Sequence, residues 1–213
     1  MRIICLYRSI GLPACAFLAS GTDHCKLAQR QIVTPAGYIA KDIQSATQWL
    51  GNKRVEDIWS VSNCVSGAFC DYIGYWKHNG YWLFDSAQVV RELADREGVD
   101  LSRLRLFYYE VHEEQYDSDI GAWGTFSADA AFVTNVRPPA TRQRAGFDVV
   151  SFSARNAPEC SPLSCNGLAG SIEVNRHCLL DTFEQAKTLL ESGRVRDCEP
   201  GPYRIFAVYT VPF

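Results

Sequence analysis

Two stretches of this chain share an order of residue types: LRLFYYEV at residues 104–111 and YRIFAVY at residues 203–209. Both are short, largely apolar and rich in aromatic or β-branched residues, which is typical of strands that are buried on at least one face. Each stretch closes a longer series of segments that recurs in the same order along the chain. The second half of the chain is therefore interpreted as a degenerate copy of the stretch before it.

Two further strands and a loop are predicted at the start of each copy. The four strand segments are residues 57–62 (DIWSVS), 81–86 (YWLFDS), 148–153 (DVVSFS) and 177–182 (HCLLDT). The loop between them carries a Ser-x-x-x-Cys pattern followed by Asp or Asn, at residues 66–71 in the first copy and 161–166 in the second. This common order of strand, loop and strand supports the duplication.

A helix is predicted after the second strand of each copy, because an acidic residue there is followed three positions later by Gln or Glu. This spacing fits a capping box, in which the first side chain accepts a backbone N–H at the helix start and the second reaches back. The two pairs are Asp85 with Gln88 and Asp181 with Glu184. Apolar residues at helical spacing follow both pairs, and Gly98 and Gly193 supply helix stops.

These elements predict an α+β fold of two related β-β-α-β units that pack together, with an N-terminal extension. The predicted divisions are an N-terminal extension and lead-in at residues 1–54, a first repeat at 55–111, a packed connection at 112–146 and a second repeat at 147–213. A short helix is expected near residues 40–50. A parallel pairing of the second and third strands of each unit, and a split arrangement with the first strand between them, both stay open.

Composition and charge are those of a globular protein: of 213 residues, 47% are apolar and 21% are charged. A net charge of -3 at pH 7, without a cluster of Lys and Arg, argues against nucleic acid as a partner. No apolar run reaches the roughly 18 residues that a helix needs to cross a bilayer, so no membrane span is predicted.

The nine cysteines include no close Cys-x-x-Cys pair, and the chain is long enough to fold without disulfides. Reduced thiols and a cytoplasmic location are therefore expected. Export or lipidation of the N-terminus is the alternative, because residues 1–19 contain an apolar stretch with small residues near its end. Arg8 interrupts this stretch and argues against export.

A zinc site is the metal centre that the cysteines of the second copy would allow. Its ligands would be Cys160, Cys165, Cys178 and Cys198, with His177 as an alternate. The spacings of five, thirteen and twenty residues lack the two-residue knuckle that makes zinc motifs specific. We therefore predict neither a metal site nor a cofactor.

An aromatic-rich run follows the first of the two patterned loops. Its members are Tyr72, Tyr75, Trp76, Tyr81 and Trp82. Aromatic side chains with polar edges favour contact surfaces, and the stretch at residues 110–119 adds acidic charge. The sequence has no phosphate-binding glycine loop, GxSxG motif or HExxH motif. The leading hypothesis is therefore a soluble binding or regulatory protein, of the immunity or accessory type, with a protein as its partner.

A cysteine-dependent hydrolase or acyl transferase is the alternative function. In this hypothesis Cys165 is the nucleophile, His177 is the base and Asn166 orients it. A thiolate nucleophile needs its pKa lowered by a helix N-terminus or a neighbouring histidine. Free cysteine is among the most buried residue types, so buried, unreactive thiols are the favoured interpretation of these residues, and the sequence leaves open whether the protein is an enzyme.

Overall fold

The computed structural model of this chain describes residues 36–42, 50, 54–61, 83–126, 136–151, 160–199 and 201–213. In these residues the fold is mixed α+β, as the sequence predicts, with a five-stranded sheet and two α-helices. All the pairings between these strands are antiparallel. The parallel pairing that the sequence left open therefore does not occur among the described strands.

Four strands form the body of the sheet in the order β1-β2-β5-β4, and the short β3 pairs with the far end of β2. The strands are β1 (Ala36–Asp42), β2 (Leu104–Asp117), β3 (Ala122–Thr125), β4 (Gln143–Ser151) and β5 (Tyr203–Val211). β2 and β5 lie at the centre, with Tyr108 opposite Tyr209. The strands predicted at residues 104–111 and 203–209 are confirmed, and they form the middle of the sheet.

Among the other predicted strands, only residues 148–151 lie in a regular strand of the described chain. Regular strands are wrongly predicted for the described parts of residues 57–62, 81–86 and 177–182. Phe84 and Leu180 instead form single isolated bridges to β1 and β4. In each bridge, the two partner residues exchange their backbone hydrogen bonds and no neighbouring residue does so. These apolar segments therefore lie beside the outer strands without adding another strand to the sheet.

The outer strand β1 lies within residues 1–54, which the sequence assigns to an extension and lead-in. It pairs with β2 from Ala36 opposite Glu110 to Asp42 opposite Leu104. Its last residues, 40–42, are therefore extended where the sequence predicts the start of a short helix. The local pattern AGYIAKD contains Gly and Ala, which are weak strand formers, so it is the pairing with β2 that makes this segment a strand.

Both predicted helices are present. They are α1 (Ala87–Glu97) and α2 (Phe183–Glu191). The caps are Ser86, which accepts the N–H of Val89, and Thr182, which forms a capping box with Gln185. The aspartates predicted as caps lie one residue too early, because a hydroxyl directly before the first helical residue is better placed to reach the free N–H groups. Neither helix has the length and apolar surface to span a membrane, and the described residues contain no other candidate.

The two helices cover the same face of the sheet. Alternate residues of a strand share a face, and in β5 Tyr203 and Ile205 pack with α2, whereas Tyr209 and Val211 pack with α1. The opposite face of the sheet is covered by irregular segments, of which Trp59 and Leu179 are part. The described chain thus has three layers: helices, sheet and irregular segments.

Gly146 lies in a bulge of β4, where the register with β5 shifts after Arg144. Its φ of 154° is one that residues with a side chain rarely adopt. A Cβ at this position would lie 2.7 Å from the carbonyl oxygen of Leu180 and 2.9 Å from the Cβ of Leu179. The absence of a side chain therefore lets the segment that leads into α2 approach the strand.

Gly146→Ala is expected to lower the free energy of unfolding by about 2–4 kcal/mol, because backbone strain and a close contact add together. Gly124→Ala is the matched control, since Gly124 lies in β3 and no atom is within 4 Å of the position of its Cβ. Urea denaturation of both variants measures the difference. Equal stability of the two variants would contradict the close packing of residues 179–180 on the bulge.

Candidate functional site

An open cleft of about 310 Å³ lies on the helix-bearing face of the sheet, over the central strands β2 and β5. Its walls and floor include Glu110, His112, Glu113, Phe147, Ile205 and Ala207. On this face α1 packs on the β1 side of the central strands and α2 packs on the β4 side. The cleft therefore lies between the two helices, and its size is typical of a small-molecule site.

The cleft exists because of one small residue in the strand register. From β1 to β4, the row of side-by-side residues at its floor is Ala36, Glu110, Ala207 and Phe147. The adjacent row on the same face is Tyr38, Tyr108, Tyr209 and Arg144. On the central strands β2 and β5, the adjacent row has the rings of Tyr108 and Tyr209. The floor row has Glu110 and the methyl group of Ala207 there. Space is therefore left between Glu110 and Phe147.

His112 reaches the cleft from a bulge of β2, where the register with β5 shifts between Val111 and Gln115. Its ring packs on Phe183, the first residue of α2, with ring centroids 4.5 Å apart. Its Nδ1 accepts the backbone N–H of Glu114 at 3.3 Å, so a neutral ring carries its hydrogen on Nε2. Among the described residues no hydrogen-bonding group meets this Nε2, which leaves it available to a bound molecule.

Glu110 is the carboxylate of the cleft floor. Its Oε2 accepts the hydroxyl of Tyr209 at 3.3 Å and lies 3.9 Å from Nη1 of Arg142. The guanidinium carbon of Arg142 also lies 4.5 Å from the ring centroid of Tyr209 and 5.5 Å from that of Tyr108. Glu110 thus joins the cleft to a neighbouring cluster of two aromatic rings and a cation, which do not themselves line the cleft.

The two tyrosines of this cluster are held in their protonated form. Burial raises the pKa of Tyr108, and the nearby carboxylate of Glu110 raises it further against the opposing effect of Arg142. Burial and Glu110 also raise the pKa of Tyr209. Both hydroxyls are therefore neutral hydrogen-bond donors at physiological pH.

The arrangement has the chemical features of a binding site. An apolar floor with a carboxylate, an imidazole and a neighbouring guanidinium can hold a small molecule that has an apolar body and one or two polar groups. In the part of the chain that the structure describes, no group of three or more potential ligands could hold a metal ion.

Cys165 is joined to Cys160 in a disulfide, with the two Cα atoms 6.2 Å apart. The expected reduced state is therefore wrong for these two cysteines. The physical reason is the turn between them: the N–H of Cys165 bonds the carbonyl of Ser161 at 2.8 Å, and this turn brings the two Cα atoms within bridging distance. Asn166, the predicted orienting group, is exposed beside the disulfide.

His177, the predicted base, makes its contacts elsewhere. Its ring stacks on Trp59 with centroids 3.5 Å apart, and its Nδ1 lies 2.6 Å from Oδ1 of Asp57. Its Nε2 accepts a hydrogen bond from the side chain of Arg176 at 3.3 Å. Cys165 is not among these contacts, so the structure does not bring the predicted nucleophile and base together.

The remaining predicted sites divide into two groups. The residues predicted for binding, Tyr72, Tyr75, Trp76, Tyr81 and Trp82, lie outside the described residues. Of the other two cysteines considered for zinc, Cys178 is buried in the core beside α2 and Cys198 is half-buried with a free thiol.

A buried carboxylate anchors the loop that carries the disulfide. Asp148 of β4 has no exposed surface, and its two oxygens accept the hydroxyl of Ser161 and the N–H of Val61, both at 2.5 Å. The N–H of Ser161 in turn bonds the carbonyl of Val61 at 3.0 Å. One side chain thus ties β4 to the disulfide loop and to residues 54–61, which is a structural role.

The sequence alone does not single out His112, Arg142 or Ala207. Glu110 stands out only as an acidic residue inside LRLFYYEV, at a position that shares a face with Tyr108. A polar residue on an otherwise apolar strand face is a usable signal for a site. The other three have no local signal, because only the register of β2, β5 and β4 brings them together.

Comparison of the chain with protein-family models, with curated proteins and with solved structures finds no match. The geometry of the cleft therefore carries the functional argument, without support from likeness to another protein.

Asp148→Asn is expected to lower the free energy of unfolding by about 2 kcal/mol, because a neutral amide replaces a carboxylate that accepts two charge-assisted hydrogen bonds. Asp95→Asn, on the exposed side of α1, is the matched control and should change stability by less than about 0.5 kcal/mol. Denaturant unfolding at neutral pH measures both. If the two variants are equally stable, the carboxylate does not anchor the disulfide loop.

Proposed function

We propose that this is a binding protein without catalytic activity, and that it takes a small organic molecule into the cleft between α1 and α2. The observation that carries the proposal is the gap that Ala207 leaves between Glu110 and Phe147 on a sheet face that is otherwise packed. The apolar floor favours a molecule with an apolar body. Glu110 and His112 supply an acceptor and a donor that orient its polar groups.

Internal duplication is part of the proposal, and two matching bridges support it. Tyr38 and Phe84 exchange backbone hydrogen bonds of 2.8 and 2.7 Å, and Phe147 and Leu180 exchange bonds of 2.7 and 2.8 Å. In each case the helix cap follows the second bridge residue by two positions. The same local device thus leads from an outer strand into a helix at both places.

The repeated unit then consists of an outer strand, a helix and a central strand. The first unit contains β1, α1 and β2, and the second contains β4, α2 and β5. In this alignment β1, rather than residues 57–62, is the counterpart of β4. The two central strands pair antiparallel, so the units are related by an approximate twofold axis through the middle of the sheet.

Duplication also accounts for the place of the cleft. Tyr38 is opposite Tyr108, and its counterpart Phe147 is opposite Ala207. In the first unit the two rings contact each other, with centroids 5.1 Å apart. In the second unit alanine replaces the inner ring and leaves its volume open. A binding site gained by one unit after duplication would have this form.

A cysteine-dependent enzyme has less support. The disulfide with Cys160 occupies the sulfur of Cys165, and His177 is engaged with Asp57 and Trp59. No described contact favours this function over binding, so it stays a hypothesis from the sequence.

The partner and the cellular location of the protein are also part of what we propose. A protein partner is supported by the aromatic run at residues 72–82 of the sequence. A cytoplasmic location has less support than the sequence alone gives it. The Cys160–Cys165 disulfide favours an oxidising compartment, because cytoplasmic thiols are normally kept reduced.

Ala207→Tyr is expected to abolish binding in the cleft while the fold is kept, because the new ring fills the gap and contacts Phe147 as Tyr108 contacts Tyr38. The probes are benzylamine, benzyl alcohol and benzoate, which share one ring and differ in charge. Ligand-observed NMR at millimolar probe concentration should detect at least one of them on the unaltered protein and none on the variant.

Thr125→Tyr is the control, because it adds the same ring at an exposed position of β3 outside the cleft. Urea denaturation checks that both variants are folded. The proposal fails if none of the three probes binds the unaltered protein, or if a bound probe binds the Ala207→Tyr variant equally well.

A further inference from the structure

The guanidinium of Arg142 lies in a cage of groups that recognise cations. The faces of Tyr108 and Tyr209 and the carboxylate of Glu110 surround it, at the distances given above for this cluster. The negative face of an aromatic ring attracts a cation, and a carboxylate adds opposite charge. Glu110 belongs to both the cage and the cleft lining, so the cage adjoins the cleft at this one side chain.

No regular strand fixes the backbone of Arg142. It lies directly before β4, outside the regular strand, and its side chain is 30% exposed. Its 3.9 Å contact with Glu110 is near the outer limit of an ion pair, and exposed ion pairs contribute little to stability. A second cation that fits the same cage can therefore take its place.

We propose that the cleft binds an organic cation, of the quaternary ammonium or guanidinium class, and that Arg142 occupies the position of the cationic group when no ligand is bound. This proposal rests on the proposed function and specifies its ligand class. The apolar part of the ligand lies over Ala207 and Phe147. An anion is disfavoured, because it would face the carboxylates of both Glu110 and Glu113.

This exchange makes Arg142 a competitor of the ligand. Removal of its side chain should therefore tighten the binding of cations, since the ligand no longer has to displace it. If Arg142 instead served as a partner for an anionic ligand, its removal would weaken binding. The sign of the change in affinity decides between the two roles.

Choline is a suitable probe, because its neutral isostere with carbon in place of nitrogen, dimethylbutanol, has the same shape without the charge. Titration calorimetry on the full chain compares both probes on the unaltered protein and on Arg142→Ala. We expect Arg142→Ala to bind choline about tenfold more tightly, with no gain for dimethylbutanol. Adding Glu110→Gln to Arg142→Ala should remove the gain, because the cage loses its charge.

Arg144→Ala is the matched control, since Arg144 also carries an exposed guanidinium close to an aromatic ring, 5.4 Å from Phe147, but makes no ion pair with Glu110. It removes the same charge and should change choline affinity less than about threefold. An unchanged or weaker affinity of Arg142→Ala for choline, or an equal gain for dimethylbutanol, overturns the cation proposal.

The two proposals fail in different ways. If the benzyl probes bind and Ala207→Tyr blocks them, but Arg142→Ala gives no gain for choline, only the cationic ligand class is wrong. If neither the benzyl probes nor choline bind any of the variants, both proposals are wrong.

Discussion

The antiparallel pairing of β2 with β5 is the interaction on which the rest of the fold depends. β1 and α1 attach to the sheet through β2, and β4 and α2 attach through β5, so this ladder joins two halves into one sheet. The cluster on the face away from the helices contains side chains from both central strands, among them Tyr109 and Val208, which are opposite each other. Neither half can bury these side chains alone, and their burial makes the ladder cooperative.

Two carboxylates on this sheet illustrate how the same chemical group serves different ends. Asp148 is fully buried, and both of its oxygens accept hydrogen bonds from the layer of irregular segments. A buried carboxylate with every partner in place rigidifies its surroundings and offers nothing to a ligand. Glu110 is 35% exposed on the opposite face, and its contacts with Tyr209 and Arg142 involve only Oε2. Among the described residues, no contact of the other oxygen of Glu110 is found, and the proposed ligand would meet this carboxylate.

The sequence predicts the parts of this fold whose signal is local. The central strands and both helices follow from apolar periodicity and capping residues, with caps displaced by one residue. β1 and the isolated bridges of Phe84 and Leu180 could not be predicted, because they depend on partners distant in the chain. The cleft is harder still, since it depends on Ala207 being small at one register position. The disulfide between Cys160 and Cys165 could not be predicted from their spacing in the sequence, because it depends on the turn that brings them together.

Amide hydrogen exchange followed by NMR shows whether the central ladder joins the two halves into one cooperative unit. The amides of β2 and β5 around Tyr109 and Val208 should be among the slowest to exchange, with an opening free energy equal to that of global unfolding measured with urea. The buried amides of α1 and α2 should approach the same value together. If the opening free energies of β1, α1 and β2 were several kcal/mol lower than those of β4, α2 and β5, the two halves would not depend on one ladder.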